Sequence, residues 1–151
     1  MVNDIDVTVV GNVVSDVRHL LTQSGVPVAS FRLASTSRRF DREQGRWADG
    51  DVTFFTVNCW RGLADNVAAS MGKGDPVMVI GRLRTRDWER GDKSGMSVEI
   101  EAASVGHDLC RGVSTFDRVR RTPPVPAAGA SPSTASPSTA SAESTASSTA
   151  A

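Results

Sequence analysis

Only one stretch of this chain spaces its apolar residues at a helical period. Leu63, Val67 and Met71 recur at i, i+4 and i+8, and Gly72 stands where a helix would end. Nearly everything else that is apolar alternates with a period of two. Ile5, Val7 and Val9 alternate in a first strand over Ile5–Val13, where Gly11 allows a bend. A second strand over Val28–Ser37 turns Ala29, Phe31 and Leu33 one way and Ser30, Arg32 and Ala34 the other. A third covers Thr53–Trp60, a fourth runs from Val77 to Arg86 or beyond after the Gly74-Asp75-Pro76 turn, and a fifth covers Ser97–Val105. Asp16–Leu21 reads as a short connection ending in the Ser24-Gly25 turn. Asp41–Asp51 reads as a polar loop joining strands 2 and 3 into a long hairpin, and Arg90–Gly95 as the tip between strands 4 and 5.

Three strands, one helix and two strands is the order of an all-β OB-fold, a five-stranded Greek-key barrel with one helix between strands 3 and 4. Closing the sheet removes most free edges, which suits a domain with a single helix to cover it. Composition sets the limits of that domain. From Thr122 to Ala151 the chain is Ser, Thr, Ala and Pro apart from Val125, Gly129 and one charge, Glu143, and such a segment cannot bury a core. The expectation is one domain over residues 1–121, with its core at about 3–105 and an extension to 121, followed by a disordered tail over 122–151.

Bulk charge does not mark a nucleic-acid binder, because the formal net charge is +0. The kind of cation is more informative: 15 of the 17 basic residues are Arg, which pairs with phosphate in bidentate fashion and also stacks on flat π surfaces. Cys59 and Cys110 are too few and too far apart for a CxxC metal or redox site, and His19 and His107 show no ligand spacing, so no metal and no cofactor is expected. With no apolar stretch near 18 residues and no signal-like N-terminus, the expectation is a soluble cytoplasmic protein that does not bind membranes. Ser70-Met71-Gly72-Lys73 fits S-x-x-K, but its serine closes a helix and no S-D-N element follows. Gly72-Lys73-Gly74-Asp75 lacks both the preceding Gly and the leading strand of a phosphate loop. The chain is not expected to be an enzyme.

The faces carry the chemistry. In Thr53-Phe54-Phe55-Thr56-Val57-Asn58-Cys59-Trp60, the alternation turns Phe55, Val57 and Cys59 toward a core. It sets Phe54 and Trp60 on the other face with Thr56 and Asn58. Along the fourth strand, Arg82, Arg84, Arg86 and Trp88 share a face opposite Val77, Val79, Gly81 and Leu83. Phe40 closes the second strand beside Arg38 and Arg39. Rings interleaved with guanidinium groups are what single-stranded nucleic acid requires, since unpaired bases stack on Phe or Trp while arginines track phosphates. Duplex reading would call for a helix or ribbon shaped to a groove, and the helix here carries almost no positive charge.

Ile5-Asp6-Val7-Thr8-Val9-Val10-Gly11-Asn12-Val13, Phe31-Arg32-Leu33-Ala34-Ser35-Thr36, Asn58-Cys59-Trp60-Arg61-Gly62-Leu63-Ala64-Asp65-Asn66-Val67-Ala68 and Gly81-Arg82-Leu83-Arg84-Thr85-Arg86 together resemble the bacterial single-stranded DNA-binding protein family. The likeness covers about Asn3–Val105, and Gly45-Arg46-Trp47-Ala48-Asp49-Gly50 resembles actinobacterial members. The resemblance implies a homotetramer, a dimer of dimers, that wraps single-stranded DNA without sequence preference during replication, recombination, repair or chromosome segregation, in the nucleoid. It puts base stacking on Phe40, Phe54, Trp60 and Trp88, positions the alternation marks independently, and leaves Trp47 in a loop. Phosphate contacts are expected at Arg32, Arg38, Arg39, Arg61, Lys73, Arg82, Arg84 and Arg86. The tail ending Ser147-Ser148-Thr149-Ala150-Ala151 lacks the acidic, hydrophobic tip of the family's replicative members. That departure resembles a shorter accessory paralogue and puts tip-mediated recruitment of repair enzymes in doubt. Cys110 follows the last strand, where an extension can reach a neighbouring subunit, so an intersubunit disulfide through Cys110, with Cys59 as the chain's other thiol, stays open. The rival reading is an OB-fold interaction module of the replication or restart machinery, and it leaves the outward alternation of rings and arginines unexplained.

Overall fold

Residue by residue, the apolar alternation extends into long strands that curl on themselves. In the computed structural model, which describes residues 3–120, the elements are β1 (Ile5–Val13), β2 (Arg18–Leu21), β3 (Pro27–Asp41), β4 (Arg46–Trp60), α1 (Gly62–Ser70), β5 (Pro76–Arg90) and β6 (Lys93–His107). The sheet order is β1-β5-β6-β4-β3-β2, and a further β1–β3 pairing closes five of the six strands into a barrel. Closure is short: Asn12 faces Ala34 and Val13 faces Leu33. Gly11 permits it, because a Cβ there would run into the Ala34 carbonyl oxygen. The parallel pairing of β4 with β6, at Thr56–Asn58 against Glu99–Glu101, completes the topology of the OB-fold. The chain divides after Phe116, and the barrel lies wholly in the unit Met1–Phe116. The tail expected over 122–151 lies outside the described residues.

The inward rows are those the alternation selects. Ala29, Phe31 and Leu33 of β3, Val57 and Cys59 of β4, Val77 and Val79 of β5 and Ile100 of β6 are all buried, and Phe55 packs against them from the same face as Val57. α1 adds Ala64 and Val67, seating its apolar stripe on that core, with Leu63 and Met71 at its margin. Ile5 departs from the expectation at 60% exposure, because it lies at the open start of β1, where only β5 pairs with it.

Three connections are shorter than the sequence suggests. Asp16–Leu21 contains strand β2, which folds back on β3 through the turn at Gly25 (φ 79°). The Asp41–Asp51 loop shrinks to four residues, because polar side chains do not prevent a strand when its partner continues in register: Arg38, Arg39, Phe40 and Asp41 pair with Asp49, Ala48, Trp47 and Arg46. The tip between β5 and β6 likewise contracts to Gly91 and Asp92, since Trp88, Glu89 and Arg90 pair with Gly95, Ser94 and Lys93. Two hairpins built of 15-residue strands, β3–β4 and β5–β6, therefore extend from the barrel. Both cysteines are free thiols. Cys59 is sealed in the core, where burial pushes its pKa up to about 12, while Cys110 is exposed. Of the two, only Cys110 has the access an intersubunit bridge needs.

Candidate nucleic-acid interface

Phe54 and Trp60 stand six residues apart on one face of β4, roughly 20 Å at the usual strand rise, with 50% and 39% of their surfaces exposed. Large rings are seldom left in water without a partner to come. Across the ladder Phe54 faces Ala34 and Trp60 faces Val28, both small enough to leave the ring faces open. Arg32, diagonal to Phe54, lays its guanidinium 5.6 Å from the ring centroid. The cation is thereby held beside a stacking surface without being consumed in an ion pair.

A β-bulge continues this face toward the hairpin tip. Thr36 faces Val52 but Arg38 faces Asp49, so β4 carries one extra residue within Gly50–Asp51. The extra residue reverses the parity of β4 and brings Trp47 to the face that carries Phe54. Trp47 is thus a strand residue paired with Phe40, not a loop residue, and the two rings meet edge to face with centroids 5.5 Å apart. Trp88 stands on the other hairpin, over Gly95, where a Cβ would come within 2.8 Å of its ring.

The basic residues fall into two sets. Arg32, Arg39, Arg61 and Lys73 form no ion pair with any described residue, and Arg38 meets Asp49 at 3.1 Å in an exposed pair of small worth. Arg61 adopts φ 57°, a region that favours glycine. Its N–H donates to the Pro27 carbonyl at 2.8 Å and its carbonyl accepts from the Ala64 N–H at 3.0 Å, which fix the chain where β4 enters α1. Trp60 and Arg61 border an open cavity of about 530 Å³ that Thr22, Ser24 and Glu101 also line.

Arg82, Arg84 and Arg86 are placed differently. They share an outward face, as the alternation predicts, but carboxylates surround them. Arg82 lies 3.1 Å from Asp4 and 3.4 Å from Glu101, Arg84 lies 3.9 Å and 3.6 Å from the same two, and Arg86 lies 3.9 Å from Glu99. The hydrogen bond that the Arg82 guanidinium donates to Asp4, then the charge of Glu101, holds that guanidinium more firmly protonated than usual. Sequence reasoning overlooked these acids. Their signal is the Glu99-Ile100-Glu101 alternation, which gains meaning only once β6 is known to lie beside β5.

His19 Nε2 lies 2.8 Å from Asp65 Oδ1, and His107 contacts Ser114 and Asp75, so each imidazole has a local partner. Among the described residues no group of three His, Cys, Asp or Glu could hold a metal ion, and no helix is long and apolar enough to cross a membrane.

The model of the single-strand binding protein family matches residues 4–108, the whole barrel. The chain is 46% identical over 125 residues to a single-stranded DNA-binding protein of Corynebacterium glutamicum. That match covers 81% of this chain but only 53% of the relative, so the chain spans about half of that protein's length. It is 49% identical over 112 residues to single-stranded DNA-binding protein 2 of Tropheryma whipplei, covering 74% of each. The crystal structure of a small single-stranded DNA-binding protein from Streptomyces coelicolor superposes with a TM-score of 0.69 at 44% identity, covering 74% of this chain and 100% of that one. By sequence and by fold, the chain belongs to the single-strand binding protein family.

Proposed function

We propose that this chain binds and wraps single-stranded DNA without sequence preference, stacking bases on Phe40, Phe54, Trp60 and Trp88 and setting phosphates against its arginines and Lys73. One observation carries the reading: Phe54 and Trp60 are exposed on the same outward face whose reverse is the closed core of β4. An exposed ring offers the π face of any base a stacking partner worth about 1 to 3 kcal/mol, and it does so without reading base edges. Arg32 and Arg38 share the face of Phe54 and Phe40, Arg61 follows Trp60 directly, and Arg39 and Lys73 are the further phosphate contacts of this reading. Arg82, Arg84 and Arg86 place further guanidinium groups on β5, each with a carboxylate beside it. No catalytic group is needed, and protection of exposed strands during replication, recombination, repair or chromosome segregation in the nucleoid is the corresponding role.

Assembly as a homotetramer, a dimer of dimers, is part of this proposal. The outer edge of β1 from Ile5 to Val10 has no strand partner among the described residues, and Val10, Met78 and Ile80 lie exposed on the sheet beside it. Residues 1–121 act as the binding domain, with 122–151 as an appended tail. Titrating the full chain with poly-dT and following tryptophan fluorescence tests the binding. Quenching that weakens as salt rises, with little response to duplex, is expected. No quenching at low salt rejects the proposal. The rival, a protein-interaction module, predicts no such response.

A further inference from the structure

The β6 strand lies between the aromatic face and the arginine row. It pairs with β4 at Thr56–Glu99 and Asn58–Glu101, and with β5 at Arg84–Glu99 and Arg82–Glu101. A bulge at Ala103, where Ile80 faces Ser104 but Gly81 faces Ala102, sets Glu99 and Glu101 on the same outward face as the arginines. Asp4 reaches the row from the segment before β1. Three carboxylates therefore answer three guanidinium groups, and this part of the sheet presents no net positive charge. Asn58 adds order by donating a hydrogen bond to Glu99 at 3.1 Å. The contrast with Arg32, Arg39, Arg61 and Lys73, which have no such partners among the described residues, divides the basic residues into free and occupied.

Resting on the single-strand reading above, we propose that Glu99 and Glu101 are specificity-determining counter-charges for that binding. They occupy Arg82, Arg84 and Arg86, so a strand lying on β3 and β4 gains those three arginines only by displacing the carboxylates. A phosphate and a carboxylate compete for the same planar donor fork, and a DNA backbone crossing from β4 to β5 passes directly over the two glutamates. Phosphate contacts in the wild-type complex then fall first on the free set. The masked row raises the charge density a ligand must bring, which favours a continuous polyanion over small or isolated anions.

The test compares full-length wild type with the Glu99→Gln/Glu101→Gln double variant, titrated with oligo-dT by tryptophan fluorescence over about 50 to 300 mM salt. Glutamine keeps the volume and an acceptor for Asn58 while removing the charge. Because single strands lose about 0.7 of log–log salt slope per phosphate neutralised, removing two of the three carboxylates, with Asp4 still beside Arg82 and Arg84, steepens the slope by about 1.4 and tightens binding several-fold at the lowest salt. An unchanged slope with an unchanged melting temperature overturns the proposal, and so does a lowered melting temperature with an unchanged slope, which would make the ion pairs purely structural. Should the double variant not fold, Glu101→Gln alone, which removes one partner from both Arg82 and Arg84, is expected to steepen the slope by about 0.7. Failure of both wild type and variant to bind at low salt overturns the underlying single-strand reading as well, whereas binding with an unchanged slope sinks only the counter-charge.

Discussion

Phe40 and Trp47 face each other across β3 and β4, their ring centroids 5.5 Å apart and their planes inclined by 67°. The pair lies near the tip of the hairpin, with 47% and 61% of the two residues exposed, so it contributes little to the core and much to the outward face. Trp47→Ala is therefore expected to leave the melting temperature within a few degrees of wild type while weakening poly-dT binding several-fold. A large loss of stability without a change in affinity would return Trp47 to a structural role.

On the barrel face and the second hairpin, Trp60→Ala and Trp88→Ala are each expected to cost about 1 to 3 kcal/mol of binding, roughly 5- to 150-fold in Kd. Gel filtration should show the same assembly as the wild type. Gly95→Val supplies a third arm. A Cβ at that position meets the Trp88 ring at 2.8 Å, so the ring must move, and affinity should fall though no ring is removed.

Inside the barrel the sign reverses. Leu33 is completely buried, and Leu33→Ala is expected to destabilise the fold by about 2 to 5 kcal/mol through lost burial and the cavity left behind. Chemical denaturation followed by circular dichroism measures this. A change below about 1 kcal/mol would contradict the packing described.

The two thiols should behave in opposite ways. At pH 8 a thiol reagent is expected to modify Cys110 quickly and Cys59 only after unfolding. The Cys59 pKa is raised from 9.0 to about 12, so its contribution to stability is fully present below pH 9 and is lost as pH climbs toward 12, where the unfolded chain ionises first. Replacing Cys59 by Ala should flatten that alkaline decline. On a non-reducing gel after air oxidation, a dimer band that vanishes in a Cys110→Ser variant is the expected sign of an intersubunit bridge, and a monomer band alone would exclude one.

Much of this protein follows from residue order alone. The period of two at Ala29, Phe31 and Leu33, and at Val57 and Cys59, determined which faces are buried, because a pleated strand must alternate its side chains whatever surrounds it. The same rule set Phe54 and Trp60 outward, and the single helical repeat placed α1 between the third and fourth barrel strands. Alternation is local, however, and one inserted residue reverses it. Only the pairing of strands shows the extra residue within Gly50–Asp51, which turns Trp47 toward Phe40, and the one at Ala103, which sets Glu99 and Glu101 beside the arginines. Only the tertiary structure, bringing Asp4 within 3.1 Å of Arg82 across 78 positions of sequence, separates free cations from paired ones. Charge along a strand is written in the sequence, but whether that charge is available depends on which strand lies next to it.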